Sequence, residues 1–299
     1  MTRRVALVWG LALALLTGWA YGPHVLSGEW VYEDPVWWVT TPPPVSMWLS
    51  RGLTRWSWYL TGPSPMIAHA LNLGLHSVIA GLVWLLARRL ELSIVACWVV
   101  ASLWLLHPLH VEAVAYAASR AELFAALGVL GACVAALRQQ WLMAVVAFVL
   151  GFACKETAVV GLVLVPLTLW IAGSRWWRLA GVGSGVLGVT GLWWAGGLRS
   201  LANAGQAAGM QVSAPDWLLL QSAATYHLLG ATISGTGFTV DADIDIITVS
   251  GRVLAAVALT GLGVLAWALR RTQPLVAFGL AWLLLGVLPR FLVQTPRSY

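Results

Sequence analysis

Long apolar runs, separated by short polar turns, dominate this sequence. A membrane-spanning helix needs about 20 apolar residues, with a range near 17–25. Leu, Ala, Val and Gly, with Trp near the ends of the runs, are typical of helices rather than barrel strands. The pattern therefore predicts an all-α polytopic membrane protein with about nine crossings, in a range of about eight to eleven. The runs cover residues 5–21, 65–87, 91–106, 121–137, 140–154, 157–172, 179–196, 251–269 and 274–289.

The composition supports a membrane protein. Of the 299 residues, 60% are hydrophobic and only 9% are charged, whereas soluble domains carry about 25% charged residues. The net charge of +6 does not indicate nucleic-acid binding, because the basic residues are scattered among the predicted spans. The expected partners are membrane lipids, with no nucleic acid.

Arginine-containing short loops set the predicted orientation. If nine spans alternate, these loops all fall on one side, which the positive-inside rule makes cytoplasmic, with the N-terminus inside. Ten of the eleven carboxylates fall on the other side, and Glu91 is the exception. The chemistry is therefore expected on the extracytoplasmic face, which is periplasmic in a bacterial inner membrane. The loops contain Arg3-Arg4, Arg88-Arg89, Arg138, Arg175 with Arg178, and Arg270-Arg271.

Two long extracytoplasmic segments, 22–64 and 197–250, interrupt the spans. Within the first, apolar positions at helical spacing over 45–60 predict an amphipathic helix that lies in the membrane interface. Within the second, residues 217–229 are apolar enough for another interfacial or re-entrant helix. The whole chain, 1–299, is expected to form a single membrane domain.

The acidic pair Glu33-Asp34 lies in the first long extracytoplasmic segment. Two carboxylates at a membrane surface can deprotonate an acceptor hydroxyl or hold a divalent cation. The alternative is a solvated loop pair without a function. Beyond that divalent cation, the sequence indicates no cofactor.

Three polar residues interrupt the second apolar run. His69, Asn72 and His76 are spaced by three and four residues, so they share one stripe of a helix. Polar residues within spans normally face the bundle interior or a cavity and mark function. Hydrogen bonding between helices is the alternative explanation.

The segment from residue 107 to 122 is the densest in polar groups. His107, His110 and Glu112 have a spacing that could bind metal, but helix geometry places Glu112 off the histidine face. Contacts to a substrate phosphate or sugar are therefore favoured. Ser119-x-x-Glu122 predicts a capping box at the start of the fourth span.

The dipeptide Lys155-Glu156 lies in a short turn on the carboxylate-rich side. Lys155 is the only lysine in the chain, so any chemistry that needs a lysine has this candidate alone. A local ion pair with Glu156 is the alternative.

Together these motifs resemble one family. Tyr32-Glu33-Asp34, Arg51-Gly52-Leu53-Thr54, His69-x2-Asn72-x3-His76, the block from His107 to Glu122 and Lys155-Glu156-Thr157 are similar to the membrane half of the transmembrane-and-tetratricopeptide-repeat O-mannosyltransferase-like proteins. More broadly, the chain resembles GT-C glycosyltransferases. The resemblance covers nearly the whole chain, and the His107–Glu122 block is its most specific part.

The resemblance implies a GT-C-like helical bundle that transfers a sugar from a polyprenyl-phosphate donor to a protein or glycan hydroxyl, with inversion. Asp34 or Glu33 would be the catalytic base. Arg51, Arg120 and Lys155 would neutralise the departing phosphate. The remaining matched polar residues would bind substrate: His69, Asn72, His76, His107, His110, Glu112 and Glu156.

Two departures from the family pattern matter. Relatives often have Asp-Asp where this chain has Glu33-Asp34, which leaves the identity of the base open. The repeat domain that follows the membrane part in relatives is absent from the 299 residues. Competing hypotheses are a flippase or polymerase of lipid-linked glycans and a metal or haem protein that uses His76, His107 and His110.

Overall fold

The computed structural model describes residues 3–27, 64–194, 214–234 and 248–292, and these are helical apart from short turns, with no strand among them. The chain divides into two compact units, Met1–Gly161 and Leu162–Tyr299. Glu33, Asp34 and Arg51, together with the predicted helix 45–60, lie outside the described residues.

The first unit is a bundle of long helices with short helices at one end. The long helices are α1 (Arg3–Ser27), α2 (Pro65–Arg89), α3 (Ile94–Leu106), α5 (Arg120–Leu137) and α6 (Trp141–Cys154), and the short helix α4 is Val111–Ala115. Helix α2 packs against α1, α3 and α5, and α5 packs along α6. The short elements between α3 and α5 contact the start of α2. Three short 3₁₀ helices cover Pro108–His110, Ala117–Ser119 and Glu156–Val160.

The second unit contains five described helices. They are α7 (Gly161–Ile171, which begins at the boundary), α8 (Trp177–Trp194), α9 (Ala214–Ser234), α10 (Val249–Leu269) and α11 (Pro274–Leu292). Helices α9, α10 and α11 pack against one another. Helix α9 includes the predicted interfacial segment 217–229, so that segment is helical. Its position relative to a membrane stays a prediction.

Every predicted apolar span overlaps a helix, but the helices differ in length. Among the described residues, three are long and apolar enough to cross a membrane: Pro65–Arg89, Arg120–Leu137 and Val249–Leu269. Shorter apolar helices cover Ile94–Leu106, Trp141–Cys154, Thr157–Ile171 and Pro274–Val287. A 13-residue helix such as α3 is only about 20 Å long, less than a hydrocarbon core of about 30 Å. The number of crossings therefore stays a prediction.

Local capping explains where two helices of the first unit begin. The hydroxyl of Ser64 accepts a hydrogen bond from the Ile67 amide, and Pro65 follows at the first helical position. Ser93 caps α3 in the same way through the Ala96 amide. Side-chain oxygens at this position satisfy amides that have no partner inside the helix. Serine and proline thus fix the starts of α2 and α3 from the sequence.

Helices α5 and α6 touch backbone to backbone at two glycines. A Cβ on Gly128 would lie 2.6 Å from the Ala147 carbonyl oxygen, and a Cβ on Gly151 would lie 3.0 Å from the Gly128 Cα. Small residues at such crossings let apolar helices approach closely and gain dispersion energy. This contact brings the beginning of α5 beside the end of α6, where the candidate site lies.

Candidate functional site

Polar side chains gather at one end of the first unit. The beginnings of α2 and α5 and the ends of α3 and α6 meet there, joined by the segment from Pro108 to Ser119. Tyr21, near the end of α1, also reaches this end through a hydrogen bond to the backbone of Leu105. The polar stripe of α2 is thus a neighbour of the segment that follows α3.

The end of α3 has carbonyl oxygens that the helix itself cannot satisfy. Pro108 has no amide hydrogen, so it cannot donate to the Trp104 carbonyl four residues earlier. That carbonyl accepts a long hydrogen bond from the His107 amide, at 3.5 Å, and a short one from the Nδ1–H of His110, at 2.6 Å. Unsatisfied carbonyls at a helix end normally find partners in side chains or water, and here a histidine is the partner.

The next carbonyl, that of Leu105, accepts two hydrogen bonds. The Tyr21 hydroxyl and the Nε2–H of His76 each donate to it at 3.0 Å. Both side chains are almost completely buried, at 2% and 0% exposed. Nδ1 of His76 is buried and has no hydrogen-bond partner among the described residues. His76 therefore has a clear structural use as a cap of α3.

Aromatic rings surround these caps. The ring of His76 stacks on the ring of Trp104, with centroids 4.4 Å apart. The ring of His110 also contacts Trp104, with centroids 4.3 Å apart. Burial, opposed by the hydrogen bond to Trp104 and assisted by the nearby His76 and His107 rings, lowers the pKa of His110 to about 4. At neutral pH His110 is thus uncharged. Its Nδ1–H donates to the Trp104 carbonyl, and its Nε2 carries a lone pair.

Asn72 and Arg120 form a second, fully buried group. The Asn72 amide donates to the carbonyls of Ala113 and Tyr116, at 3.2 and 3.1 Å. Its oxygen accepts from Nε of Arg120 at 2.9 Å, and Nη2 of Arg120 donates to the Ala68 carbonyl at 3.1 Å. Both side chains are 0% exposed. This group holds the segment before α5 against the beginning of α2.

Glu122 joins two elements on the surface of the same end. One carboxylate oxygen lies 3.4 Å from Nζ of Lys155, and the other accepts a 2.8 Å hydrogen bond from Thr157. The side chains of Lys155 and Glu122 are 26% and 48% exposed. The two motifs that contain these residues are thus brought together by the contact between α5 and α6.

The predicted capping box is wrong. Ser119 precedes α5, but its side chain makes no capping hydrogen bond. Its backbone has helical angles (φ −67°, ψ −3°) because the preceding 3₁₀ helix Ala117–Ser119 runs directly into α5. Glu122 therefore contacts residues that follow another helix, Lys155 and Thr157, and does not cap its own helix.

The structure places the predicted site residues in different surroundings. His69, Asn72 and His76 lie on the buried face of α2, as their shared stripe predicts. His107 ends α3 and is half-buried. Glu112 lies in α4 and Glu156 begins a 3₁₀ helix, and their side chains are outside the described set. No cluster of three or more His, Cys, Asp or Glu side chains fit to hold a metal occurs within the described residues.

Sequence reasoning missed three residues of this end: Tyr21, Glu122 and Thr157. Tyr21 lies within an apolar run and had no motif to mark it. Glu122 and Thr157 stand inside the motifs Arg120-Ala121-Glu122 and Lys155-Glu156-Thr157. Their membership in two compact polar motifs was the available signal, but it does not reveal that the motifs touch.

Apolar helices of this kind, three of them long enough to cross a membrane among the described residues, are typical of a helical membrane protein. Comparison with known proteins finds a similarity over part of the chain. The chain is 33% identical over 120 residues to the protein O-mannosyl-transferase Tmtc1 of Drosophila melanogaster. The similarity covers 38% of this chain and 14% of that relative, so most of the relative lies outside it. No family model and no solved structure matches the chain.

Proposed function

We propose that the chain is a glycosyltransferase that moves a sugar from a polyprenyl-phosphate carrier to a protein or glycan hydroxyl on the extracytoplasmic face. The observation that carries this proposal is the similarity to Tmtc1, which is named as an O-mannosyl-transferase. By that analogy the sugar is mannose. The motifs shared with the wider family support the same reaction class.

The proposed reaction is a single displacement at the anomeric carbon. Asp34 or Glu33 takes the proton of the acceptor hydroxyl, and the acceptor oxygen forms a bond to the anomeric carbon with inversion. The bond from that carbon to the phosphate oxygen breaks, and its electron pair stays on the phosphate. Polyprenyl phosphate leaves with an additional negative charge. The pair Glu33-Asp34 could also hold a divalent cation that assists this departure.

The geometry of the first unit favours different roles for the basic residues Lys155 and Arg120. Lys155 is partly exposed at the polar end, so in this proposal it neutralises the departing phosphate together with Arg51. Arg120 is 0% exposed and is used on Asn72 and Ala68. We therefore give Arg120 a positioning role, in contrast to the phosphate contact that the family resemblance implies.

A transfer assay tests this proposal. The full chain, reconstituted with polyprenyl-phosphate mannose and an acceptor peptide, is expected to transfer mannose. Asp34→Asn or Glu33→Gln should lower kcat by about 10²–10⁴-fold, the contribution of general acid–base catalysis. Glu91→Gln is the matched control, because this exposed carboxylate is predicted on the opposite side of the membrane and its loss should leave kcat unchanged. Full activity in both Asp34→Asn and Glu33→Gln would overturn the catalytic assignment.

A further inference from the structure

The carboxylate of Glu122 contacts its two partners at the polar end at different distances. Glu122 uses one oxygen for Lys155 at 3.4 Å and the other for Thr157 at 2.8 Å. The contact to Thr157 is a close hydrogen bond, whereas the contact to Lys155 is longer than a charge-assisted hydrogen bond of about 2.7–2.9 Å. Thr157 therefore holds the Glu122 carboxylate at a shorter distance than Lys155 does.

Exposure makes this pair easy to open. Glu122 is 48% exposed and Lys155 is 26% exposed, and ion pairs in contact with water contribute only about 0–1 kcal/mol, or up to about fivefold in an equilibrium. A lysine also has a flexible stem and a compact charge that can turn toward a new anion. Lys155 can thus leave Glu122 at little cost, while Thr157 keeps Glu122 in place.

We propose that Glu122 is the resting counter-ion of Lys155 and exchanges with the phosphate group of the lipid-linked substrate. The phosphate takes Lys155 when the donor binds. Glu122 takes it back after transfer and so helps to expel polyprenyl phosphate. This inference rests on the proposed function for the identity of the anion, but the exchange itself is a binding event that needs no sugar transfer.

Glu122 matters in this proposal because the product carries more negative charge than the donor. The donor is a phosphate diester with one negative charge, whereas the product is a monoester whose second ionisation lies near pH 6. A lone lysine would therefore hold the product more tightly than the donor. A fixed carboxylate beside the lysine opposes this retention by like-charge repulsion. Glu122 is thus a positioning residue that limits product binding, not a catalytic residue.

The single lysine of the chain permits a direct test. Reductive ¹³C-methylation of the purified full chain, before it is placed in nanodiscs, labels Lys155 and the N-terminal amine, which differ in chemical shift, and keeps the lysine charge. Polyprenyl phosphate is expected to move the Lys155 resonance at lower concentration than inorganic phosphate does. Equal responses to the two probes would overturn the assignment to a lipid-linked anion.

The Glu122→Gln variant distinguishes an exchange of anions at Lys155 from a purely structural role of Glu122. The amide keeps an oxygen for Thr157 but removes the competing charge, so polyprenyl phosphate should bind up to about fivefold more tightly. Glu122→Asp restores the charge and should return the dissociation constant toward the wild-type value. Unchanged or weaker binding by a Glu122→Gln protein that remains monodisperse would overturn the exchange.

Transfer kinetics give a second readout. When product release limits turnover, Glu122→Gln should lower both KM for the donor and kcat, whereas loss of a merely structural contact raises KM. Transfer activity with KM and kcat both unchanged in this variant overturns the exchange alone. Tighter phosphate binding by Glu122→Gln in a chain that transfers no sugar supports the exchange and contradicts the proposed function.

Discussion

Two polar groups lie at the same end of the first unit, and they differ in exposure. Asn72 and Arg120 are 0% exposed and share hydrogen bonds with three backbone carbonyls. Glu122 and Lys155 are 48% and 26% exposed and contact each other at 3.4 Å. A buried polar group must keep its partners, because losing one leaves a desolvated charge or dipole. An exposed group can exchange its partner for water or a ligand.

This difference gives separate roles to Asn72, Arg120 and Lys155, which the family resemblance had placed together in one substrate site. The buried group, together with Tyr21 and His76 on the Leu105 carbonyl, fixes the short segment between α3 and α5. The exposed pair is in contact with water, and in the proposed exchange Lys155 binds the phosphate of the substrate. The comparison therefore predicts that variants of the first group change stability, and variants of the second change binding.

The largest effect should come from Asn72→Leu. This substitution removes the acceptor at Nε of Arg120 and the donor to the Ala113 and Tyr116 carbonyls. Breaking a buried charged network in this way costs about 3–5 kcal/mol in the free energy of unfolding. Thermal or denaturant unfolding of the purified wild-type and Asn72→Leu chains measures this loss in the free energy of unfolding.

A matched control for that variant lies five residues later on the same helix. Ser77 is exposed and its hydroxyl bonds only within the helix, to the Leu73 carbonyl. Ser77→Ala should change the free energy of unfolding by less than about 0.5 kcal/mol. Equal losses in the two variants would contradict the importance of the buried network.

An intermediate effect is expected at the contact that brings the two groups together. In Gly128→Ala the new Cβ would lie 2.6 Å from the Ala147 carbonyl oxygen, so α5 and α6 must separate. Overpacking of this kind costs about 1–3 kcal/mol and should also move the Lys155 resonance. The control is Gly131→Ala on the same helix, where the nearest atom, the Ala147 Cβ, lies at 3.5 Å.

The two alanine variants should therefore differ both in melting temperature and in the chemical shift of Lys155. A Gly128→Ala protein as stable as Gly131→Ala would show that the backbone contact does not hold these helices together.

The smallest effect should come from Thr157→Val. It removes one exposed hydrogen bond to Glu122, so the free energy of unfolding should fall by less than about 1 kcal/mol. The Lys155 resonance should nevertheless broaden or move, because the carboxylate is no longer fixed. Thr157→Ser keeps the hydroxyl and serves as the control. A loss of stability as large as that of Asn72→Leu would erase the distinction between the two groups.

Much of the local structure follows from the sequence. The run 121–137 becomes Arg120–Leu137 and the run 65–87 becomes Pro65–Arg89, because helix periodicity is a local signal, as are Ser64 and Pro65 at the start of the second helix. The stripe of His69, Asn72 and His76 is confirmed as a buried face. The end of α3 before Pro108 is also local, since proline cannot donate a backbone hydrogen bond.

The partners of these residues did not follow from the sequence. Ser119-x-x-Glu122 satisfies the local pattern of a capping box, yet Glu122 contacts Lys155 and Thr157, more than 30 positions away. Likewise, nothing local relates Tyr21 to Leu105. A short-range pattern describes which contacts a helix permits, and it does not weigh them against contacts that packing brings from elsewhere.

By itself, the sequence determined the apolar helices, their approximate limits and the polar stripe on α2, since each depends on residues within a few turns of one another. Only the tertiary structure decided which polar groups are buried and which remain exposed to water. The physical reason is that burial depends on how closely helices approach. At Gly128 and Gly151 that approach is set by two residues with no side chain, on two different helices.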